Sequence, residues 1–127
     1  MKLIQGNGWF VLDDILKISL LLDFYGGLLT NKQFEMLDLH YNSDCSLSEI
    51  AHQFGITRQG VFDNIKRGRI SLFELEDKLG LVGRYVEQRE RAKLVLKYLD
   101  KFNKDKLGKD DLRYLRKIRE EVEKLSE

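Results

Sequence analysis

Residues 46–67 read SLSEIAHQFGITRQGVFDNIKR, and the order of residue types in this stretch decides the fold. Ser46 and Glu49 have the spacing of a capping box, in which a hydroxyl and a carboxylate three residues apart satisfy each other's backbone N–H groups. Leu47, Ile50, Ala51 and Phe54 then recur at helical intervals and form an inward face. Ala51 is small where two helices must approach closely. Gly55 can take the positive φ of a tight turn, Ile56 is an apolar plug, and Thr57 can cap a second helix with its hydroxyl. Val61 and Ile65, four residues apart, bury that second helix. The combination is the pattern of a helix-turn-helix. An αα-hairpin without a ligand has the same outline and stands as the alternative.

What favours a ligand is the outer face. Burial of Val61 and Ile65 leaves Arg58, Gln59, Phe62, Asp63 and Lys66 pointing outward. In a helix-turn-helix the second helix enters the major groove with its N-terminal turns against the base edges. Arg58 suits a bidentate contact to guanine and Gln59 one to adenine. Lys66, Arg67 and Arg69 suit phosphates, as do Ser46 and Ser48 at the start of the preceding helix; Thr57, at the cap, joins the candidate nucleic-acid-binding set. Asp63 either limits the approach of a phosphate or selects a cytosine amino group. Phe62 is expected to pack against the long helix that follows, with a thymine methyl or a partner chain as its alternative contacts.

Upstream, residues 1–11 (MKLIQGNGWFV) have no helical period and are expected to form an N-terminal arm, with Trp9 and Phe10 folding back onto the core. Ile15, Ile18, Leu22 and Tyr25, widened by Leu21 and Phe24, predict a buried helix over 12–25, stopped by left-handed Gly26-Gly27. Thr30 and Gln33 form another capping box, and Phe34, Leu37 and Tyr41 give its helix an inward face. Downstream, Leu72, Leu75, Leu79, Val82 and Val86 are spaced three and four apart, a short heptad seam suited to dimerisation. Gly80 and Gly83 are expected to kink this long helix. A charged linker over 103–109 leads to a last helix from Asp110, with Leu112, Leu115, Ile118, Val122 and Leu125 on one stripe. The domain organisation expected is an arm (1–11), a helix-turn-helix bundle (12–69) and a helical extension for dimerisation (70–127). The fold class is all-α.

Composition agrees. Of 127 residues, 43% are hydrophobic and 34% charged, and none is proline, which favours helices. A single Cys excludes an internal disulfide framework and suits a reducing cytoplasm. The best apolar run, Ile15 to Leu22, is short and contains Lys17, so no membrane insertion is expected. Net charge is +1, unevenly divided: residues 46–69 carry four basic and two acidic side chains, and residues 84–127 carry fourteen and ten. The weak surplus predicts modest affinity for a polyanion from one copy, and hence a homodimer. Cys45, His40 and His52 lack the close pairing of zinc ligands, so no metal is expected. Asp13-Asp14 and Asp110-Asp111 sit at helix starts, where capping explains them. No nucleophile elbow, P-loop or dinucleotide fingerprint is present. The residues therefore point to no enzyme and no cofactor.

The stretch DFYGGLLTNKQFEMLDLHYNSDCSLSEIAHQFGITRQGVFDNIKR, residues 23–67, resembles the YlxM family of small bacterial helix-turn-helix proteins. The likeness covers residues 20–85 and is most specific at Arg58-Gln59 and Asp63-Asn64-Ile65-Lys66-Arg67. The same region resembles the promoter-reading domain of sigma factors. The resemblance implies a sigma-region-4-like all-α bundle that often self-associates. It further implies a DNA-binding regulator tied to the signal recognition particle, with contact to the particle's RNA or protein as the alternative. Gly60 stands where the family has Ala, Phe62 where it has Tyr, and Gly68 follows the basic pair. Both glycines are expected to loosen the recognition helix.

Overall fold

The computed structural model describes residues 12–127, and the expected N-terminal arm with Trp9 and Phe10 lies outside the described residues. The described residues form six α-helices and no strand: α1 (Asp14–Tyr25), α2 (Asn31–Tyr41), α3 (Leu47–Phe54), α4 (Arg58–Leu79), α5 (Leu81–Leu99) and α6 (Lys109–Ser126). The all-α class expected from the sequence is the one observed.

The caps sit where the residue chemistry puts them. Asp13 accepts from the Leu16 N–H at 2.8 Å and starts α1. Both capping boxes close, Thr30 with Gln33 and Ser46 with Glu49. Gly55 ends α3 with a φ of 67°. Gly26 does not stop α1 in the expected way. Its φ is −55°, and it opens a short 3₁₀ turn, Gly26–Leu28. What requires glycine there is space: a Cβ would stand 2.7 Å from the Phe34 ring.

The first three helices, α4 and the start of α5 share one core. Ile18, Leu21, Met36, Leu37, Ile50, Val61 and Leu72 are fully buried in it. Each such side chain contributes on the order of 1.5–3 kcal/mol by leaving water. The face α1 buries is the expected stripe without two of its members: Ile18, Leu21, Leu22 and Tyr25 are buried, while Ile15 is 61% exposed and Phe24 38%. Gly68 is buried where α2 crosses α4, and a Cβ on it would lie 2.6 Å from Leu37 Cδ1. It thus permits the close crossing of two helices. The helix does not loosen there: α4 runs unbroken from Arg58 to Leu79.

The expected kinked helix over the heptad seam is instead two helices meeting at a corner. Gly80 ends α4 with a φ of 64° and offers no side chain to cap α5. The first N–H groups of α5 would be orphaned, and a side chain from α1 and one from the last turn of α4 take them. The Tyr25 hydroxyl accepts from the Leu81 N–H at 3.1 Å, and Glu76 accepts from Val82 at 3.0 Å and Gly83 at 2.8 Å. Tyr25 in turn donates to Glu76 Oε1 at 2.6 Å. Glu76 is only 8% exposed, and these bonds together with the positive helix end offset its desolvation. Gly83 is small for the same reason, since a Cβ would sit 3.3 Å from Glu76 Oε2.

Beyond Val86, α5 leaves the bundle and pairs antiparallel with α6. Arg89 donates to the Ser126 carbonyl at 3.1 Å, and Arg119 pairs with Asp100 near the other end. Among the described residues of α6 none is fully buried; its inward stripe is half covered by α5.

Candidate nucleic-acid interface

The α3–turn–α4 unit is rigidly built. The Gly55 and Ile56 N–H groups return to α3 carbonyls, with Ile56 bonding Ala51 at 3.1 Å. Thr57 then caps α4 by accepting from the Gly60 N–H at 3.0 Å. Leu47, Phe54 and Ile56 pack on the shared core, and Val61 and Ile65 anchor α4 beneath them. One face of the first turns of α4 is therefore fixed inward and the other outward.

On the outward side, Arg58, Gln59, Lys66 and Arg67 are exposed, and Asp63 is half-buried. Gln59 Nε2 donates to Asp63 Oδ1 at 3.1 Å, so the two form one unit rather than separate readers. Arg58, Lys66 and Arg67 make no ion pair among the described residues. Phe62 does not pack against a following helix as expected. It is 46% exposed, one turn after Arg58 on the same flank of α4.

The polar residues at the start of each helix are partly occupied. The Ser46 and Thr57 hydroxyls accept capping bonds from Glu49 and Gly60. Ser48 is exposed in the first turn of α3. The Ser46 backbone N–H, which donates to Glu49 Oε1 at 2.8 Å, and the Ser46 hydroxyl hold the Glu49 carboxyl below the usual range.

Arg69 is placed elsewhere. Its guanidinium grips Asp14 at 2.7 and 3.3 Å, donates to the Tyr41 hydroxyl at 2.8 Å and lies over the Tyr41 and Phe73 rings. The hydrogen bond from Arg69 lowers the Asp14 carboxyl's pKa. Arg69 therefore ties α1 to α2 and α4 and is not positioned as a phosphate contact. Sequence spacing could not reveal this, because Asp14 lies 55 residues away.

The seam residues are also divided by the structure. Leu72, Val82 and Val86 are spent in the chain's own core, Leu75 is half-buried, and Leu79 is 45% exposed. They do not share one surface, since the corner at Gly80 breaks the heptad register. A groove of about 460 Å³ lies open between α5 and α6, lined by Ala92, Val95, Val122 and Leu125 together with Arg84, Glu87, Gln88 and Arg91.

No group of three or more His, Cys, Asp or Glu among the described residues could hold a metal ion. His52 is exposed, and His40 is tied to the Cys45 carbonyl at 2.9 Å. No described helix is long and apolar enough to cross a membrane.

Comparison with known proteins agrees with this architecture. Residues 12–114 match the family model described as "Putative helix-turn-helix protein, YlxM / p13 like". A UPF0122 protein of Acetivibrio thermocellus is 46% identical over 116 residues, covering 91% of this chain and 99% of the relative. A UPF0122 protein of Thermoanaerobacter sp. is 40% identical over 114 residues, covering 90% and 97%. One of Halalkalibacterium halodurans is 42% identical over 91 residues, covering 72% and 84%. With its helix-turn-helix in place and such relatives spanning nearly its whole length, the chain belongs to the UPF0122 family of YlxM/p13-like helix-turn-helix proteins.

Proposed function

We propose that the protein is a cytoplasmic DNA-binding regulator that places the first turns of α4 in the major groove. The observation that carries this reading is the exposed Arg58–Gln59 pair at the N-terminus of a helix anchored by Val61 and Ile65. Arg58 reads guanine, with Phe62 beside it against a thymine methyl. Gln59, held by Asp63, contacts the neighbouring step. Lys66 and Arg67, with Ser48 at the start of α3, hold phosphates. Regulation of the signal recognition particle pathway is the role that family resemblance suggests for it.

Two copies act together in this reading. With Arg69 engaged by Asp14, the helix-turn-helix offers three cations outward, too few for tight binding by one copy. With Leu72, Val82 and Val86 buried, the pairing surface of this reading is the open groove between α5 and α6. Selection of duplex DNA from a random pool tests the reading. An enriched sequence whose preference relaxes in Arg58→Ala supports it, and failure to enrich any sequence overturns it.

The same shortage of cations favours a second reading, an accessory factor that contacts the particle's RNA or protein without reading bases. Salt-dependent binding compared between duplex DNA, structured RNA and the particle protein separates the two.

A further inference from the structure

The basic surplus of this chain is concentrated far from its recognition helix. Residues 97–117, the end of the α5–α6 hairpin, carry eight basic side chains and four acidic ones. That difference of four equals the whole surplus of residues 84–127, fourteen basic against ten acidic, so the rest of the hairpin is balanced. The acids at this tip are partly consumed: Asp100 pairs with Arg119, and Asp110 with Arg113 at 3.4 Å. Lys97, Lys101, Lys104, Lys106, Lys109, Arg116 and Lys117 make no ion pair among the described residues, and all are exposed.

Three aromatic rings stand among these cations. Tyr98 is 57% exposed, Phe102 54% and Tyr114 56%, and the Arg113 guanidinium lies 5.1 Å from the Tyr114 ring centroid. Hydrophobic packing would place such rings between the two helices, yet that role falls to Leu99, which is buried, and to half-buried Leu96, Leu112 and Leu115. The connector closes through a 3₁₀ turn over Lys104–Lys106, held by Asn103, which accepts from the Asp105 N–H at 3.2 Å.

Cations that follow a sugar–phosphate backbone, interleaved with rings on which bases stack, are the two components of a surface for unpaired nucleic acid. A duplex keeps its bases stacked on one another and offers nothing to such rings. We propose that the tip of the α5–α6 hairpin is a second nucleic-acid site, for a single-stranded or looped segment. Tyr98, Phe102 and Tyr114 stack on its bases, and Lys101, Lys104, Lys106 and Lys109 contact its phosphates. This site is separate from the helix-turn-helix and does not depend on what α4 reads.

The test uses the full chain and three fluorescein-labelled probes: an unstructured 12-nucleotide RNA, the DNA of the same sequence, and that DNA as a duplex. Anisotropy titrations compare wild type with Phe102→Ala, with Lys104→Ala/Lys106→Ala/Lys109→Ala, and with Arg58→Ala. The site requires that both tip variants weaken single-strand binding roughly fivefold or more, while Arg58→Ala leaves it unchanged. If about four phosphates are held, the logarithmic salt slope for the single strand is about −3. Stronger binding of the RNA than of the DNA strand assigns the site to RNA, and equal binding assigns it to either backbone. Wild-type single-strand affinity in both tip variants overturns the proposal, as does its loss in Arg58→Ala. Sedimentation of the same variants provides a further check: loss of self-association with retained strand binding would make the tip a protein contact. Because the duplex probe and Arg58→Ala report on α4 alone, failure at the tip is distinguishable from failure of the helix-turn-helix reading.

Discussion

The Tyr25 hydroxyl lies 2.6 Å from Glu76 Oε1, joining the last residue of α1 to a buried carboxylate near the end of α4. Through that bond and three backbone N–H groups, the pair sets where α5 starts and so how the hairpin leaves the bundle. Tyr25→Phe removes the donor to Glu76 and leaves the Leu81 N–H without its acceptor. A loss of about 1–3 kcal/mol is expected in urea denaturation. Glu76→Ala, which leaves two N–H groups unmet and a cavity, is expected to cost more.

The same bond gives the fold an alkaline limit. Burial, reinforced by Glu76, pushes the Tyr25 hydroxyl from 10.0 up to about 12. Unfolded chains therefore release this proton at lower pH than folded ones. The contribution is fully present below pH 10 and is lost as pH rises from 10 to about 12. Its size is roughly 2–3 kcal/mol. Stability measured across this range should fall more steeply in wild type than in Tyr25→Phe.

Gly68→Ala tests the close crossing of α2 and α4. The added methyl would lie 2.6 Å from Leu37 Cδ1, so overpacking outweighs the gain in helix propensity. A net destabilisation of about 1–3 kcal/mol is expected by thermal or urea melting. Stability equal to or above wild type would show that Leu37 moves aside without cost.

Arg58→Ala and Lys66→Ala should weaken binding to duplex DNA without changing helical content by circular dichroism. Arg69→Ala should do the reverse, lowering stability through loss of the Asp14 and Tyr41 bonds. Asp14 is mostly exposed, and its pKa is lowered by Arg69, so the tie it makes is present at neutral pH and weakens as pH falls through the carboxylate range. Wild-type stability in Arg69→Ala would return Arg69 to the list of phosphate contacts.

If two copies pair through the α5–α6 groove, Val95→Glu and Leu125→Glu should each give a monomer by sedimentation at unchanged helicity. Val95 is 41% exposed and Leu125 51%, so neither change is expected to unfold the chain. A monomer in wild type at high concentration would remove pairing from the proposed mechanism.

Caps and the turn were legible because each is a local bargain between neighbours. Ser46 finds Glu49 three residues on, Thr57 finds the Gly60 N–H, and Gly55 meets a backbone angle that few other residues tolerate. The buried pair Val61 and Ile65 followed from helical period alone. The centre of α1's face did too, but the exposure of Ile15 and Phe24 did not, because apolar residues surround more than half of this helix and periodicity cannot set the limits of the stripe. The outward position of Phe62 followed from the same period, but its lack of a packing partner did not, since the helices near enough to cover it are set by the tertiary fold.

Sequence by itself determined an all-α chain with a helix-turn-helix at residues 46–67, for the forces that write those elements act within about four residues. Tertiary structure alone decided what the distant partners do. It turned Gly80 from a kink into a corner, made Gly68 the point where α2 and α4 touch, and withdrew Arg69 from the candidate interface to hold Asp14. Each of those outcomes depends on groups from another helix. The residues 46–67 set the site, and the packing of α1 and α2 against α4 selects which of its cations remain outside.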